Sequence, residues 1–383
     1  TMSEALDVRI ALGPVLMALH GPPSPIVETS YRAALDLVER LDDAARRFLV
    51  QWGLWYVQFT RADYPPAVEA GEHLLATAQR GSDREQLIEA HHALWPTLVA
   101  MGEVKRAQPH IERGIALYDR ERHGHMASLY GGHDPGACAR YFLATSQWAL
   151  GYPERAVAAA HEAMRLAETL NHAMTSTMTF GLVAWILYQS GERRAAIGAA
   201  ERCMAIVETR GFRGWNIGLA ALLHVARGER PDPAVLDTLR QGQALEVMRT
   251  WRSVIGTCTI ASLYGEIGAP EQGLEALSTL GDAATTGLYG PEVYRVQGEL
   301  RRLAAHAPED AARCFEHAIE MARGRELRSL ELRAATSLAR LRCDQGRRED
   351  ARRALAEIYP WFTEGFDTPD LRAARALLDD LDR

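Results

Sequence analysis

The chain has 383 residues, of which 47% are hydrophobic and 24% are charged, and its formal net charge is −7. This acidic balance argues against direct nucleic-acid binding, because phosphate binding requires a basic surface. The sequence has no signal peptide, and no apolar run approaches the roughly 20 residues that cross a bilayer. We therefore expect a cytoplasmic protein without membrane contact. The five cysteines are scattered without a CxxC pair, which favours buried, reduced thiols over disulfides or a zinc site.

The N-terminus begins Thr1-Met2-Ser3. Thr1 precedes the only plausible initiator, so we interpret it as a residue left by cloning. Residues 4–19 already have the pattern of an amphipathic helix. This pattern predicts an N-terminal helix and suggests a fragment of a longer protein.

A short turn pattern recurs along the chain, as in "MGEVKRA", "LGYPERA", "SGERRAA", "IGAPEQG" and "QGRREDA". Glycine accepts the positive φ that ends a helix, and proline suits the first turn of the next helix. The steps between predicted turns are 37 to 40 residues, except for one step of 49 that contains an inserted loop over residues 122–136. The predicted turn residues are Ala62, Gly102, Gly151, Gly191, Gly228, Gly268, Ala307 and Gly346.

Small residues mark two further positions, seven before and five after the turn. Those before it include Ala144, Ala184, Ala221, Ala261 and Ala339, and those after it include Ala67, Ala107, Ala156, Ala196, Gly273, Ala312 and Ala351. On two antiparallel helices such positions face each other and allow close approach. This spacing resembles that of the tetratricopeptide repeat. The period here is about 39 residues, compared with 34 residues in that repeat, so we expect longer helices.

No stretch has the alternating pattern that a sheet requires. The sequence therefore predicts an all-α fold, a right-handed α-α superhelix in a single tetratricopeptide-like domain over residues 1–383. We expect about eight helix pairs, preceded by an N-terminal helix and closed by a capping helix over residues 368–382. Each pair buries its apolar stripe against its neighbours, and the stack leaves a concave face.

Three segments carry a more specific resemblance: residues 51–64, 133–157 and 329–381, the last of which contains "WFTEGFDTPDL". They resemble the C-terminal part of a bacterial signalling family. In that family an output domain, often an adenylate or guanylate cyclase and sometimes a winged helix, precedes a P-loop ATPase and a tetratricopeptide-like region. The resemblance implies a sensor arm whose partners include those domains. No phosphate loop of the form G-x-x-x-x-G-K-[ST] and no cyclase core occurs here, so no catalytic residue is carried over.

Histidines are the main candidates for chemistry. The inserted loop contains residue types that could hold a metal in principle, namely His123, His125, His133 and Asp134. The favoured interpretation is that this segment is a polar surface loop. His91 and His92 point about 100° apart on a helix, so both cannot easily reach one ion. We expect no catalytic residue, no metal and no cofactor.

The concave face supplies the candidate binding site. In tetratricopeptide superhelices the first helix of each pair lines this face, and the corresponding columns hold aromatic residues and, in the last repeats, arginines: Trp52, Tyr56, Tyr141, Trp148, Met178, Trp185, Tyr188, Trp215, Arg301, Arg333 and Arg340. A peptide could rest its apolar side chains on the rings and its carboxylates on the arginines. In the competing interpretation the rings pack between repeats and the arginines are solvated and paired with Glu299 or Glu331.

The expected function is a non-catalytic sensor and partner-binding scaffold, the C-terminal arm of a cyclase- or winged-helix-linked signalling ATPase. A free-standing adaptor, or a receptor for a peptide or small effector, is the alternative. An enzyme in a helical scaffold has the least support, because no nucleophile–base pair or metal set has a usable spacing.

Overall fold

The computed structural model describes residues 1–81, 83–212, 216–244 and 251–383. Within these ranges the regular elements are helical and no strand occurs, so the all-α prediction is confirmed. The α-helices are α1 Met2–His20, α2 Pro25–Leu41, α3 Ala44–Thr60, α4 Tyr64–Gly81, α5 Arg84–Ala100, α6 Val104–Leu117, α7 Arg120–His123, α8 Met126–Leu129, α9 Pro135–Ala149, α10 Pro153–Leu170, α11 Ala173–Gln189, α12 Arg193–Arg210, α13 Asn216–Arg227, α14 Pro233–Ala244, α15 Trp251–Glu266, α16 Pro270–Ser278, α17 Asp282–Thr286, α18 Gly290–Leu303, α19 Pro308–Gly324, α20 Arg328–Asp344, α21 Arg348–Ala356 and α22 Pro369–Leu381. A short 3₁₀ helix spans Tyr359–Trp361.

The described residues form two compact units. Unit 1 comprises residues 1–143 and 162–179, and unit 2 comprises residues 144–161, 180–244 and 251–383. Consecutive helices pack as pairs within each unit, for example α3 with α4 in unit 1 and α18 with α19 in unit 2. Each unit is therefore built from stacked helix pairs.

The turns between paired helices use left-handed backbone. Positive φ angles occur at Ala62 and at the six glycines among the predicted turn residues: Gly102, Gly151, Gly191, Gly228, Gly268 and Gly346. In the remaining turn the left-handed residue is Ala305, at φ 55°, and not Ala307. Ala307 directly precedes Pro308 and has φ −54° and ψ 130°, because a residue before proline is restricted to extended backbone.

The small marker residues lie where the paired helices touch. The alanines at both marker positions are buried, and most of them have no exposed surface. A Cβ atom added to Gly273 would lie 2.7 Å from the carbonyl oxygen of Ala261, so the two positions face each other across the pair. The close approach explains why small side chains recur at a separation of 12 residues.

The N-terminal end differs from the prediction of a single helix. Two helices, α1 and α2, precede the first predicted pair and pack against each other. Gly21 ends α1 with φ 79°, and Ser24 caps α2 by accepting a hydrogen bond from the Ile26 N–H. These turn and capping residues make the N-terminal segment one further helix pair.

The inserted loop is not the polar surface loop that the sequence suggests. Helices α7 and α8 lie at its start, and both His133 and Asp134 are buried. Gly131 has φ 49°, and a Cβ atom there would lie 2.6 Å from the Trp52 ring. The loop therefore packs its histidine end into the core of unit 1, and Gly131 permits the close approach.

Residues 364 and 365, near the C-terminal end of unit 2, contact the first turn of α10. The Glu364 Oε1 atom accepts hydrogen bonds from the backbone N–H groups of Glu154, at 3.0 Å, and Arg155, at 3.1 Å. In return, the Glu154 Oε1 atom accepts from the Gly365 N–H at 2.8 Å. Glu364 thus satisfies free N–H groups at the start of α10 from a distant part of the sequence.

Ring contacts extend this arrangement, which we call the C-terminal clasp: residues 361–365 against residues 152–155. The Trp361 and Tyr152 ring centroids are 5.3 Å apart. Nearby, the Ser329 hydroxyl donates to the Trp148 carbonyl oxygen at 2.6 Å. Two of the segments that carry the family resemblance therefore touch each other in unit 2.

Candidate functional site

The structure buries five of the eleven predicted groove residues inside their units. Trp52, Tyr56, Tyr141, Trp148 and Trp185 are between 1% and 7% exposed. Among the others, Met178, Tyr188, Arg301 and Arg333 are partly buried and Arg340 is exposed, whereas Trp215 lies outside the described residues. The rings thus lie in contact with their own unit, and solvent reaches mainly the arginines.

Unit 1 contains a buried group that we call the histidine cluster: His92, His133, Cys138 and Glu89. The Nε2 atoms of His92 and His133 are 3.2 Å apart. On the opposite side of each ring, His92 Nδ1 is 2.8 Å from Glu89 Oε2 and His133 Nδ1 is 3.3 Å from the Gly131 carbonyl oxygen. Helix α5 supplies Glu89 and His92, while the inserted loop and α9 supply His133 and Cys138.

Aromatic rings enclose this cluster. His92 stacks on Trp95, with ring centroids 4.9 Å apart, and the His92 ring centroid is 5.7 Å from that of Trp52. Trp52 stacks on Tyr56 at 5.4 Å. Two predicted groove residues, Trp52 and Tyr56, therefore form part of the wall around the histidine cluster.

Burial sets the protonation states of the cluster. Loss of solvent lowers the pKa of His92 and of His133 to about 3, so both imidazoles are neutral near pH 7. The same loss of solvent raises the pKa of the Glu89 carboxyl and of the Cys138 thiol. Neutral imidazoles and a thiol are ligand types that bind transition metals.

Unit 2 buries charged groups in a different way, in what we call the ion network: Glu292, Arg295, Arg333 and Asp370. Glu292 Oε1 lies 2.7 Å from Arg295 Nη2 and 3.1 Å from Arg333 Nη2. Arg333 Nε is also 3.7 Å from Asp370 Oδ2. Burial favours a raised pKa for Glu292, but the charges of Arg295 and Arg333 outweigh it and lower the pKa. Arg333 is thus paired with Glu292, and not with Glu299 or Glu331, the partners that the competing interpretation named.

The rings of unit 2 contact side chains from distant helices. Trp148 on α9 stacks with Tyr289, with centroids 6.1 Å apart. The Gln189 Nε2 atom donates to the Trp185 carbonyl oxygen and lies 3.3 Å from the Tyr289 hydroxyl. Residues that the sequence assigns to a binding column therefore pack against the unit's own side chains.

Unit 2 also has a cavity of about 390 Å³ beside α16, α17 and α18. Arg301, one of the predicted site residues, lines it, and the buried Arg301 Nε atom has no hydrogen-bond partner among the described residues. The lining residues are Leu274, Leu277, Ser278, Leu280, Thr285, Val293, Tyr294, Gln297, Arg301 and His306. The cavity therefore joins an apolar wall to a cation that lacks a hydrogen bond at Nε.

The histidine cluster is not recognisable as a unit in the sequence. His133 and His92 are 41 residues apart, and the neighbours of each in the sequence do not point to the other. Two local signals were present: Glu89 precedes His92 by three residues, and Cys138 follows His133 by five. Only the tertiary packing of the inserted loop against α5 joins them.

These features define an all-α helical-repeat protein whose tetratricopeptide-like helix pairs enclose buried polar clusters. No family model matches the chain. The chain is 24% identical over 356 residues to an uncharacterized protein of Rhizobium meliloti (strain 1021). This alignment covers 88% of this chain and 34% of that protein. The chain thus spans about a third of the length of this relative.

Two solved structures are similar in helical architecture. One is a Rap protein complexed with competence and sporulation factor, with a TM-score of 0.49, 11% identity and 99% coverage of both chains. The other is a signal transduction ATPase with numerous domains and a tetratricopeptide repeat sensor from Pyrococcus horikoshii. It has a TM-score of 0.41 and 12% identity, and the alignment covers 92% of this chain and 54% of that one.

Among the described helices of this chain, none combines the length and the apolarity that a membrane span requires.

Proposed function

We propose that the chain is a non-catalytic regulatory scaffold that binds a peptide or protein segment at the Arg301 cavity of unit 2. The observation that carries this proposal is that the Arg301 side chain lines the cavity and its buried Nε atom has no hydrogen-bond partner among the described residues. A buried donor without a partner is costly, and a carboxylate that accepts from a guanidinium relieves that cost.

The other lining residues indicate the remaining chemistry of the ligand. Leu274, Leu277 and Val293 offer an apolar wall, and Tyr294 and Gln297 lie on the same helix as Arg301. An apolar side chain next to a carboxylate, as at a peptide C-terminus or in an acidic segment, matches this combination. The volume of about 390 Å³ suits one or two side chains.

The remaining groove residues have a secondary part in this proposal. Trp52, Tyr56, Tyr141, Trp148 and Trp185 are buried, so a ligand would reach them only if helices moved. Arg340 is exposed and is available for a longer acidic segment. Direct contact is therefore assigned to Arg301 first, and each buried ring is assigned to the packing of its own unit.

A peptide-binding assay tests this assignment. Fluorescent peptides from a library with apolar and acidic C-terminal residues are titrated with the full chain, as free carboxylates and as C-terminal amides. Arg301→Ala should weaken binding of the best carboxylate peptide by about 10- to 100-fold, as expected for a charge-assisted hydrogen bond. The matched control is Arg302→Ala, because the exposed Arg302 side chain pairs with Glu299.

Three results would contradict the proposal. They are equal binding by Arg301→Ala and wild type, an equal loss in the Arg302→Ala control, and no binding by any peptide. A preference for the carboxylate over the amide that disappears in Arg301→Ala would support contact between Arg301 and the ligand carboxylate.

We further propose that the chain is the sensor arm of a longer signalling protein with a P-loop ATPase and a cyclase or winged-helix output domain. The support is the sequence resemblance, together with a relative of which this chain covers only 34%. In such a protein, a peptide regulates the ATPase only if it binds one conformation of the arm better than another. A free-standing adaptor is the alternative.

The parent gene and its product distinguish these two possibilities. An upstream P-loop in the same reading frame favours the sensor arm. The peptide that binds the isolated chain should then change ATP hydrolysis by the parent, and Arg301→Ala should remove that change without altering the basal rate. If no such domain precedes the chain, the adaptor is supported instead.

A further inference from the structure

We propose that His92, His133 and Cys138 bind one thiophilic transition-metal ion inside unit 1, and that Zn²⁺ is the first candidate. The nitrogen and sulfur ligand atoms of these three residues all lie within 4.8 Å of one another, and all three residues are buried. This inference is independent of the Arg301 cavity, which lies in unit 2.

The distances fit a metal that both imidazoles share. Zinc–nitrogen bonds of about 2.0–2.1 Å at tetrahedral angles place two ligand nitrogens roughly 3.3–3.4 Å apart. The Nε2 atoms of His92 and His133 are already 3.2 Å apart. At a zinc–sulfur bond length of about 2.3 Å, the Cys138 sulfur would lie about 3.5–3.6 Å from each nitrogen. The ligand atoms of the three residues here lie within 4.8 Å of one another.

The outer contacts orient the imidazoles for this role. Metal-binding histidines usually donate their second ring N–H to a carboxylate or a backbone carbonyl. Glu89 is such a carboxylate for His92 at 2.8 Å, and the Gly131 carbonyl has this position for His133 at 3.3 Å. When both Nδ1 atoms donate, the two Nε2 lone pairs converge on the space beside Cys138.

Charge selects the class of metal. The Cys138 thiol gives up its proton to solvent when the metal–sulfur bond forms, and a protonated Glu89 carboxyl likewise releases its proton to solvent. The Cys138 thiolate and a Glu89 carboxylate together balance a dication, and the aromatic wall limits the access of water. A thiolate with two imidazoles suits Zn²⁺ or Cu⁺ better than Mg²⁺ or Ca²⁺, which prefer oxygen ligands.

A hydrogen-bond chain is the competing explanation of the same geometry. If Glu89 donates to His92, then His92 Nε2–H donates to His133 and His133 Nδ1–H donates to the Gly131 carbonyl oxygen. Every ring nitrogen is then satisfied without a metal. This alternative gives Cys138 no part, so a test of the metal site must show that Cys138 matters.

The test uses the full chain, and metal binding is measured after the chain has refolded. The protein is treated with a chelator under reducing conditions, reloaded with Zn²⁺ during refolding and freed of excess metal, and its zinc content is then measured by mass spectrometry. We expect one zinc per chain. Loading with Co²⁺ should give a thiolate-to-cobalt charge-transfer band, and X-ray absorption of the zinc form should show one sulfur and two imidazole ligands.

Two variants, at the ligand Cys138 and at the outer carboxylate Glu89, and one control test the site. Cys138→Ser should weaken zinc binding by more than about 100-fold and remove the cobalt band, because it removes the only thiolate. Cys258→Ser is the matched control, since Cys258 is 1% exposed, like Cys138, but lies in unit 2. Glu89→Gln should weaken zinc binding by about 10- to 100-fold, because it keeps an acceptor for His92 and removes the charge. If the bound ion is Cu⁺, Glu89→Gln should reduce the metal affinity less, because the thiolate alone balances a single positive charge.

A partly exposed histidine pair is the main source of a false signal, since His91 and His110 Nδ1 atoms are 2.9 Å apart. If zinc binding is lost in His110→Ala but kept in Cys138→Ser, the metal is bound at that pair and the proposal is wrong. Absence of stoichiometric zinc from folded wild type, with no copper bound in its place, would leave the hydrogen-bond chain as the explanation. Should Cys138→Ser fail to fold, a wild-type absorption spectrum without sulfur overturns the proposal by itself.

Discussion

The histidine cluster of unit 1 and the ion network of unit 2 bury polar groups in opposite ways. In the ion network, Glu292 contacts two guanidinium groups and Arg333 contacts two carboxylates. In the histidine cluster, two neutral imidazoles direct the same atom, Nε2, towards each other. A buried cluster with internally paired charges is complete without a ligand, whereas one with converging acceptors has room for an ion or a proton.

The largest expected effects come from two buried tryptophans, one in each unit. Trp52→Ala in unit 1 and Trp148→Ala in unit 2 should each lower the free energy of unfolding by about 3–5 kcal/mol, because both rings are buried. Thermal and urea unfolding of both variants measure the change. Unchanged unfolding of either variant, combined with weaker peptide binding, would instead return that tryptophan to the binding site.

The ion network should respond next. Glu292→Gln should lower the free energy of unfolding by about 2–3 kcal/mol, because it leaves the charges of Arg295 and Arg333 without their nearest carboxylate. Glu299→Gln is the matched control, since the Arg302–Glu299 pair is near the surface and is worth at most about 1 kcal/mol. Equal effects in the two variants would show that the network does not act as a buried unit.

Lowering the pH should reduce the difference in the free energy of unfolding between wild type and Glu292→Gln. The pKa of Glu292 in the folded chain lies below its ordinary value of 4.5. Its stabilising contribution is therefore complete above about pH 4.5 and is lost as the pH falls through the folded pKa. Urea midpoints of both proteins at pH 6, 4 and 3 measure this, and a difference that stays constant would contradict the assigned pairing.

The smallest expected effects concern turns, which should behave alike in the two units. Ala62 in unit 1 and Ala305 in unit 2 both have positive φ, at 63° and 55°. Ala62→Gly and Ala305→Gly should each raise stability by up to about 1 kcal/mol, because glycine adopts this backbone without strain. Ala76→Gly, at an exposed position inside α4, is the control and should lower stability by about 0.5–1 kcal/mol.

The helix pairs were accessible from the sequence because their signals are local. Gly102, Gly191 and Gly346 mark turns by the backbone that they permit, and the alanines 12 residues apart mark the helix contacts. The single displaced turn has an equally local cause, the effect of Pro308 on Ala307, which a closer reading of that dipeptide would have found.

The clusters were not accessible in the same way, because they depend on contacts between distant segments. Nothing near His92 in the sequence indicates that His133 lies 3.2 Å away. Similarly, the competing interpretation paired the arginines with Glu299 or Glu331, yet Arg333 contacts Glu292. Arg301 was grouped with ten other groove residues, of which five are buried. The periodicity of the sequence identifies which residues share a helix face. The packing of one repeat against another determines which side chains contact that face.

The C-terminal clasp changes how unit 2 should come apart. In a simple array of repeats each helix pair depends only on its neighbours, and unravelling begins at a free end. Here Glu364 accepts a hydrogen bond from the backbone of Glu154, 210 positions earlier, so the segment that precedes α22 is attached to the start of α10. Fraying that proceeds beyond α22 must first break this attachment, and loss of a segment that includes Glu364 would weaken a helix start that lies more than half the chain away.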